Sequence, residues 1–327
     1  MPLALALVSL LFAALLPVTA QSVVRWNDVL SQPAAWYGTA EATRIADSVL
    51  DWQLGTGAWP KNIDMTKPPA AGERPDARES TIDNGATITQ IRFLARVAAA
   101  TSGEKHQSAA RKGLEYLLAA QYPNGGWPQY FPLRPGYYTH ITYNDDAMAG
   151  VMMVLWDVAD GQAPFAFADA ALKAKARAAV EKGIDVILRT QIRVNGTLTA
   201  WCQQHDEKTL EPRPARTFER VALTAAESVG VIRVLMRIER PEPRVKDAIE
   251  AAVAWLRAVR IDANPPRWAR FYEIGTNRPI FVGRDAVVRY NLDEIEQERR
   301  EGYSWYGAYA ARLLEREYAE WCKKTGC

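Results

Sequence analysis

Apolar residues recur at spacings of three and four along most of the chain, and this spacing places them on one face of a helix. The segment 40–54, which reads AEATRIADSVLDWQL, shows the pattern first. The same pattern predicts further helices over 84–101, 106–121, 145–160, 168–191, 220–238, 245–260 and 303–321. Loops rich in Pro, Gly and Asn separate several of them, namely 60–79, 122–143 and 192–217. Only 268–282 is expected to form a short hairpin, so the chain is predicted to be all-α.

A segment built from Gln, Gly and Trp-Pro is repeated. It begins at Gln53 as QLGTGAWP, returns at Gln121 as QYPNGGWP, and has a looser copy that runs from Gln191 to Trp201. The three glutamines are 68 and 70 residues apart. A near-constant period of this length, filled with helical patterning, indicates a repeated helical hairpin.

Hairpins repeated in this way can stack as an open solenoid or close into a ring. With three to four repeats and no evident capping repeat, we expect the ring, which is an α/α toroid. Its inner helices would line a central groove. The long loops would then gather at one end of that groove, where function tends to lie.

The first twenty residues are apolar and end in Val18-Thr19-Ala20, while the first charged side chain is Arg25. This arrangement is typical of a secretory signal peptide that is cleaved near Ala20. The alternative is a transmembrane anchor, but the apolar run is short and closes with a Pro and small residues. We therefore expect residues 21–327 to form one catalytic domain, secreted or periplasmic, that has no membrane partner.

Composition and net charge exclude few classes of protein. Of the 327 residues, 48% are hydrophobic and 24% are charged, as in ordinary globular proteins, and the formal net charge is +2. So small a charge supplies no field that would attract nucleic acid. Three cysteines allow one bridge at most. Cys322 and Cys327 flank a short turn and could close a small loop in an oxidising compartment, whereas Cys202 is expected to be buried.

Polar side chains stand where the inner helices are predicted to begin. In chain order these are Asp83, Asn84, Asn144, Asp145, Asp146, Arg216 and Arg284. The steps from Asp83 to Asp145, to Arg216 and to Arg284 are 62, 71 and 68 residues, so we expect these positions to be repeat-equivalent and to meet at one mouth of the ring. Carboxylates beside arginines suit a hard cation such as calcium that bridges to an anionic ligand. The alternative for Asp83, Asn144 and Asp145 is helix N-capping.

Five segments carry long, ordered motifs. They are GAWPKN from Gly57, TIDNGAT from Thr81, YNDDAM from Tyr143, RPIFVGRD from Arg278 and ERREGYSWY from Glu298. Together they resemble the pectate lyases of polysaccharide lyase family 10, and the resemblance covers residues 25–320. It implies calcium-assisted β-elimination on polygalacturonate, with the polysaccharide as the partner. We also expect the enzyme to be a monomer.

The resemblance also implies roles for individual residues. Asp145 would hold the calcium ion, completed by Asp83 or Asp146. Substrate contacts would come from a set of polar side chains: Asn84, Arg284, and Arg299 or Arg300. From its position after Trp59-Pro60, Lys61 is a further candidate to bind a carboxylate, at a distal subsite.

Arg216 is the residue that the resemblance implies as the base that removes the C5 proton. A guanidinium, with a pKa above about 12, is an unusual base. We therefore expect calcium and Arg284 to lower its pKa, and the rate to rise above neutral pH. The structural alternative is a salt bridge with Glu211 or Glu219. The nearest other candidates for the base are Arg213 and Arg220.

Two other functions are compatible with the same residues. Asp83 and Asp145 could be the acid and base of an α/α-toroid glycoside hydrolase, which would need no calcium and would form no unsaturated product. A non-catalytic pectin-binding module would hold the polymer with aromatic loops and arginines. His140 and His205 are weaker candidates for a general base, because no Ser or Cys motif surrounds them.

Overall fold

The computed structural model describes residues 24–73 and 75–327. The signal peptide predicted over 1–20 lies outside the described residues. None of the helices within them combines the length and the apolar character that a bilayer span requires.

Helices make up most of the regular structure, as the sequence pattern predicts. Their bounds are α1 Ala40–Asp51, α2 Ile88–Thr101, α3 Glu104–Ala119, α4 Ala147–Ala159, α5 Ala170–Thr190, α6 Ala225–Met236, α7 Pro243–Ala258, α8 Gln297–Glu301 and α9 Tyr318–Thr325. A π-helical turn over Leu313–Glu317 leads into α9. Helices α2 and α3, α4 and α5, and α6 and α7 pack against each other as three successive hairpins.

The first helix of each hairpin belongs to an inner layer. Helix α4 contacts both α2 and α6, while α5 contacts both α3 and α7 in the outer layer. Apolar residues surround α4, where Val151, Val154 and Leu155 are fully buried, whereas α5 buries a stripe and exposes a charged face. A helix that is apolar all round has to be enclosed by other elements. The chain is therefore an α/α toroid, with three hairpins.

The repeated Gln ties each hairpin to the next one. The Nε2 of Gln53 donates hydrogen bonds to the carbonyl oxygens of Gly57 and Ala109, at 2.8 and 2.9 Å. Gln121 and Gln191 make the same pair of bonds one and two hairpins later. One bond closes the local turn and the other anchors it to the outer helix of the following hairpin, so the repeat is structural.

The repeated Trp fixes the same turn from inside. The Nε1 of Trp59 donates to the carbonyl of Val49, near the end of the preceding helix, at 2.7 Å. The equivalent bond recurs at Trp127, Trp201 and Trp268. Trp268 therefore marks a fourth copy of the segment, which the sequence search missed because this copy keeps neither the Gln nor the Pro.

Short antiparallel strands join the long loops. They are β1 Ile141–Thr142, β2 Arg193–Val194, β3 Thr197–Leu198, β4 Gln204–His205, β5 Pro212–Arg213, β6 Leu223–Thr224, β7 Asp262–Ala263, β8 Pro266–Ala269, β9 Phe271–Tyr272, β10 Phe281–Val282, β11 Val288–Arg289 and β12 Tyr306–Gly307. The pairs are β1 with β4, β4 with β5, β2 with β3, β6 with β9, β7 with β8, β8 with β12 and β10 with β11.

Strand pairing also shifts two predicted helix starts. The third inner helix begins at Ala225 rather than at 220, because β6 pairs with β9 first. The last helix begins well after 303, because β12 pairs with β8. The predicted hairpin over 268–282 is present as a tight turn in which Tyr272 bridges to Pro279.

The cysteines behave as the sequence suggests. Cys322 and Cys327 form a disulfide, and Cys202 is a buried free thiol.

Candidate active site

The backbone in front of α2 and α4 adopts a left-handed conformation. The φ angle is 52° at Asn84, 48° at Asp145 and 58° at Asp146, and Asn and Asp are the non-glycine residues that visit this region most readily. Neither helix receives a side-chain cap hydrogen bond, from these residues or from Asp83 and Asn144. The N-capping alternative for Asp83, Asn144 and Asp145 is therefore wrong.

Five of the residues predicted to meet at one mouth line one cavity of about 80 Å³, and they are Asp83, Asn84, Asn144, Asp145 and Arg216. Lys61, predicted at a distal subsite, lines the same cavity. The rest of the lining is also polar, and it consists of Gln129, Tyr137, Gln203, Gln204 and Glu219.

Backbone hydrogen bonds show which positions are equivalent between repeats. The residue before each site-bearing segment donates to the next repeat: Ile82 to Gln129, Tyr143 to Gln203 and Ala225 to Arg270. In this frame Asp145 corresponds to Asn84 and to Glu227. The alignment of Asp145 with Arg216 and Arg284 is therefore wrong. Both arginines lie in loops. Loop length differs between repeats, so sequence spacing that includes the loops does not identify equivalent positions.

Lys61 and Asp83 form a buried ion pair, from Nζ to Oδ2. The Asp83 side chain is only 4% exposed. Burial opposes the charge on Lys61, but the hydrogen bond and charge of Asp83 outweigh it and raise the pKa of Lys61 above its usual value. The second oxygen, Oδ1, is buried and has no hydrogen-bond partner among the described residues. It is the atom of Asp83 that is free to bind a ligand.

Asp145 is held by a residue that the sequence analysis did not single out. One terminal nitrogen of Arg270 donates to Asp145 Oδ1 at 2.8 Å and to Glu227 Oε1. The Arg270 and Glu227 side chains are 10% and 1% exposed. Burial opposes the charge on Arg270, but Glu227, Tyr303 and Asp145 raise its pKa above the usual range. Arg270 is therefore a permanent cation that orients the Asp145 carboxylate.

A repeat signal in the sequence could have located Arg270. It stands two residues after Trp268, as Lys61 stands two residues after Trp59. Both cations bind a carboxylate in front of an inner helix. Recognition of the fourth copy of the Trp segment would have brought Arg270 into the predicted site.

Arg216 forms a forked ion pair with Glu219. Its Nε donates to Oε2 at 2.8 Å and a terminal nitrogen donates to Oε1. Glu219 also accepts from Gln203 Nε2 at 3.0 Å and from the Tyr303 hydroxyl at 3.1 Å. The hydrogen bond to Glu219 raises the pKa of Arg216, although burial opposes it. The salt-bridge alternative with Glu219 is thus observed, and it acts against the lowered pKa that a base requires.

Two predicted arginines lie outside the cavity. The Arg299 guanidinium lies 4.3 Å from the centre of the Phe218 ring, and that of Arg216 lies 4.7 Å from the same ring. Arg284 is exposed and donates to Glu298 at 2.5 Å. Arg299 is therefore a neighbour of Arg216, whereas Arg284 is not positioned to lower its pKa as expected.

Asp146 belongs to a neighbouring pocket of about 290 Å³, which Asp145 also lines. Desolvation and the charges of Glu227 and Asp145 raise the pKa of Asp146 to about 6, against the opposing effect of Arg233 and Arg270. Asp145 thus separates two pockets, one that contains Asp83 and one that contains Asp146.

The oxygen atoms around the Asp83 cavity suit a hard cation. Gln129, Gln203 and Gln204 each have a buried side-chain oxygen that, like Asp83 Oδ1, accepts no hydrogen bond from the described residues. All four line the cavity together with Asp145. A donor set of carboxylate and amide oxygens is the type that calcium prefers, so the residues present fit that ion.

A second group that could hold a metal involves His140. Its ligand atoms and those of Asp206 and Glu207 lie within 4.8 Å of one another. Both Asp206 oxygens are already engaged, one by two backbone N–H groups and the other by Arg213. Those bonds hold the pKa of Asp206 well below its usual range. The free oxygens of Asp83 and of the three glutamines make the Asp83 cavity the better cation site.

Comparison with known proteins identifies similarity to one family of enzymes. A family model described as pectic acid lyase matches residues 53–267 and 261–314. The solved structure of a family 10 polysaccharide lyase from Cellvibrio cellulosa is 34% identical, with a TM-score of 0.79, and the match covers 92% of this chain and 95% of that one. A search of curated proteins found no match.

A second solved structure extends the comparison to a complex. It is a mutant of a family 10 polysaccharide lyase from Cellvibrio cellulosa in complex with trigalacturonic acid. It is 35% identical, with a TM-score of 0.79, and the match covers 91% of this chain and 99% of that one.

Proposed function

The chain belongs to the pectic acid lyase family and is a pectate lyase, and on this basis we propose that it cleaves α-1,4-linked polygalacturonate by calcium-assisted β-elimination. The observation that carries the proposal is the placement of Asp83, Asp145 and Arg216 around one small polar cavity. The trigalacturonic acid bound by a relative supports a uronate chain as the ligand. Family membership favours a lyase over the glycoside hydrolase and the binding module.

Asp83 and Asp145 would hold the calcium ion. Asp83 is better supported than Asp146 as the second carboxylate, because it has a free buried oxygen and because the cavity that it shares with Asp145 also holds Arg216 and the three free glutamine oxygens. When bound, calcium would neutralise a uronate carboxylate and stabilise the negative charge that develops as C5 loses its proton. Lys61 and Arg270 would keep the two aspartates oriented toward the cavity.

Arg216 would remove the C5 proton. The electrons of the C5–H bond then form the C4–C5 double bond, the C4–O4 bond breaks, and O4 takes a proton from water. A weak acid such as C5–H requires a strong base. Because Glu219 stabilises the protonated guanidinium, this role requires Arg216 to leave Glu219 when the substrate binds.

Substrate carboxylates would be bound by the cations around the cavity. Arg299 shares the Phe218 ring with Arg216, and a guanidinium can bind a carboxylate through two parallel hydrogen bonds. Lys61 and the exposed amide of Asn84 line the cavity itself. Arg284 would act farther out, after exchange of Glu298 for a uronate.

We also propose export and a monomeric enzyme. The apolar leader over 1–20 and the Cys322–Cys327 disulfide support an oxidising compartment, secreted or periplasmic. N-terminal sequencing of the exported protein should begin at Gln21.

Light scattering should give the mass of a single chain, and a larger mass would contradict the monomer.

The test is the ultraviolet band of the unsaturated uronate product, followed while the purified enzyme acts on polygalacturonate with calcium and then with a chelator. We expect absorbance to rise with calcium and to stop when the chelator is added. New reducing ends without the absorbance would instead indicate hydrolysis.

The role of Arg216 can be tested in the same assay. Arg216→Lys is expected to lower kcat by about 10²–10⁴-fold, the usual contribution of a general base. Arg213→Lys is the matched control, because Arg213 is bound to Asp206 outside the cavity. Equal losses in the two variants would overturn the assignment.

A further inference from the structure

Among the described residues that line the cavity of Asp83, Tyr137 is the one phenol. Its side chain is half-buried and belongs to the single helical turn Tyr137–Thr139. The backbone N–H of Gln129, which also lines the cavity, donates to the Tyr138 carbonyl at 3.1 Å. This bond fixes the turn to a second wall of the cavity, so the phenol has a defined place beside the reacting groups.

The elimination described above requires a proton donor as well as a base. When the C4–O4 bond breaks, O4 keeps the electron pair and has to take up a proton. A side chain that gives this proton while the bond breaks lowers the barrier, and general acids of this kind contribute about 10²–10⁴-fold to rates.

Most ionisable groups of the described lining are unsuited to this task. The carboxylates are each paired with a cation and are therefore ionised, and they are Asp83, Asp145 and Glu219. The ammonium of Lys61 is bound to Asp83, so its proton is already engaged. Arg216 is assigned to the C5 proton. Since side-chain amides are not acids, Tyr137 is the lining group that is left to donate.

The surroundings of Tyr137 keep its proton in place until it is needed. Desolvation and the neighbouring Tyr138 raise its pKa above the usual value, and the charge of Glu219 acts in the same direction, whereas that of Arg216 opposes them. The phenol is therefore neutral when the substrate binds. The positive charge of Arg216 stabilises the phenolate that donation would leave.

We propose that Tyr137 is the general acid that protonates O4, in place of the water molecule in the scheme above. The proposal rests on the proposed function, because it concerns the second proton transfer of the same elimination. The C5 proton passes to Arg216, the C5–H electrons form the C4–C5 double bond, the C4–O4 bond breaks, and O4 takes the hydroxyl proton of Tyr137. The phenolate then recovers a proton from the Arg216 guanidinium through solvent, so the enzyme ends the cycle as it began.

The test removes the hydroxyl and then removes the need for it. Tyr137→Phe keeps the ring but cannot donate, and with polygalacturonate we expect its kcat to fall by about 10²-fold. The second substrate is trigalacturonate in which fluorine replaces the C4 hydroxyl of the non-reducing end. Fluoride leaves without a proton and the product has the same ultraviolet band, so here the variant should match the wild type.

Tyr138→Phe is the matched control. Tyr138 is also half-buried and its ring centre lies 4.1 Å from that of Tyr137, but it does not line the cavity. We expect wild-type rates on both substrates, and a loss on polygalacturonate as large as that of Tyr137→Phe would overturn the proposal.

Two results for Tyr137→Phe would also overturn the general acid while the lyase activity stands. Equal losses on both substrates would show that Tyr137 only binds or orients the sugar. An unchanged kcat on polygalacturonate would show that water alone protonates O4. If the wild type forms no unsaturated product from polygalacturonate, the proposed function itself fails and the general acid fails with it.

Discussion

At the residue scale, the charged side chains at the candidate active site form ion pairs with one another. The pairs are Lys61 with Asp83, Arg216 with Glu219, and Arg270 with Glu227 and Asp145. Buried charges are costly unless paired, so these contacts stabilise the free enzyme. They also allow a cation and a uronate carboxylate to bind together, because each charged side chain can exchange one partner for another of the same sign.

The Arg270–Glu227 pair should contribute strongly to stability. Arg270→Gln leaves Glu227 buried without a cationic partner, and we expect the free energy of unfolding to fall by about 3–5 kcal/mol. Urea denaturation of the wild type and the variant measures this change in the free energy of unfolding. The double variant Arg270→Gln/Glu227→Gln removes the stranded charge and should recover most of the loss. A double variant as unstable as the single one would contradict this explanation.

His205 should make stability depend on pH. Desolvation lowers its pKa from 6.5 to about 4, against the opposing hydrogen bonds to backbone groups. Its Nδ1 lies 2.9 Å from the Leu210 carbonyl. Since the unfolded chain takes up a proton near pH 6.5 and the folded one near pH 4, stability is full above pH 6.5 and falls by about 3 kcal/mol as the pH drops to 4.

The check is the free energy of unfolding of the wild type and of His205→Asn between pH 7 and pH 4. Asn keeps a donor for the Leu210 carbonyl but does not titrate. We expect the variant to lose less stability over this interval than the wild type does. Parallel curves would show that other groups cause the acid sensitivity.

At the scale of elements, the turn between Gln and Trp sets how closely each hairpin approaches the next. Gly125 has φ of 99°, and a Cβ there would lie 2.1 Å from the carbonyl oxygen of Lys182 in α5. Gly57 stands in the same relation to Lys112. Glycine at this place is therefore required by both the backbone conformation and the packing of the next outer helix.

Gly125→Ala should destabilise the fold by about 2–5 kcal/mol, which combines left-handed strain with overpacking against α5. Gly196→Ala is a matched control in the third copy of the segment. Its φ is also positive, at 81°, but no atom lies within 4 Å of the added Cβ, so only about 1 kcal/mol of strain is expected. Thermal or urea unfolding of the two variants separates the effects, and equal losses would argue against close packing as the cause.

At the scale of the whole molecule, calcium that binds only the folded chain should stabilise all of it. At a concentration one hundred times its Kd, the expected gain is about 2.7 kcal/mol. The measurement is Tm with and without calcium. Asp145→Asn should lose this increase while it keeps an acceptor for Arg270, whereas Asp146→Asn should retain it, because Asp146 lines the neighbouring pocket. The reverse result would make Asp146 the ligand.

Much of the architecture was predictable because it depends on local periodicity. The apolar spacing located the main helices, and the Gln and Trp-Pro period identified the hairpins, since each copy makes the same hydrogen bonds to the next hairpin. Motif residues such as Asp83, Asp145 and Arg216 also meet in one cavity, as predicted. Their roles in catalysis and in calcium binding stay predictions.

The tertiary structure alone decided which distant charges face each other. Arg270 contacts Asp145 across 125 residues of chain, and loops of unequal length place Arg216 at the cavity of Asp83 and Asp145 but leave Arg284 outside it. Sequence spacing reports positions along the chain, and it is a guide to space only where each repeat has the same length. Helical periodicity is local and could be read from the sequence, as could the Arg216–Glu219 pair. Ion pairs between distant residues and the cavities depend on how the long loops cross, and they could not.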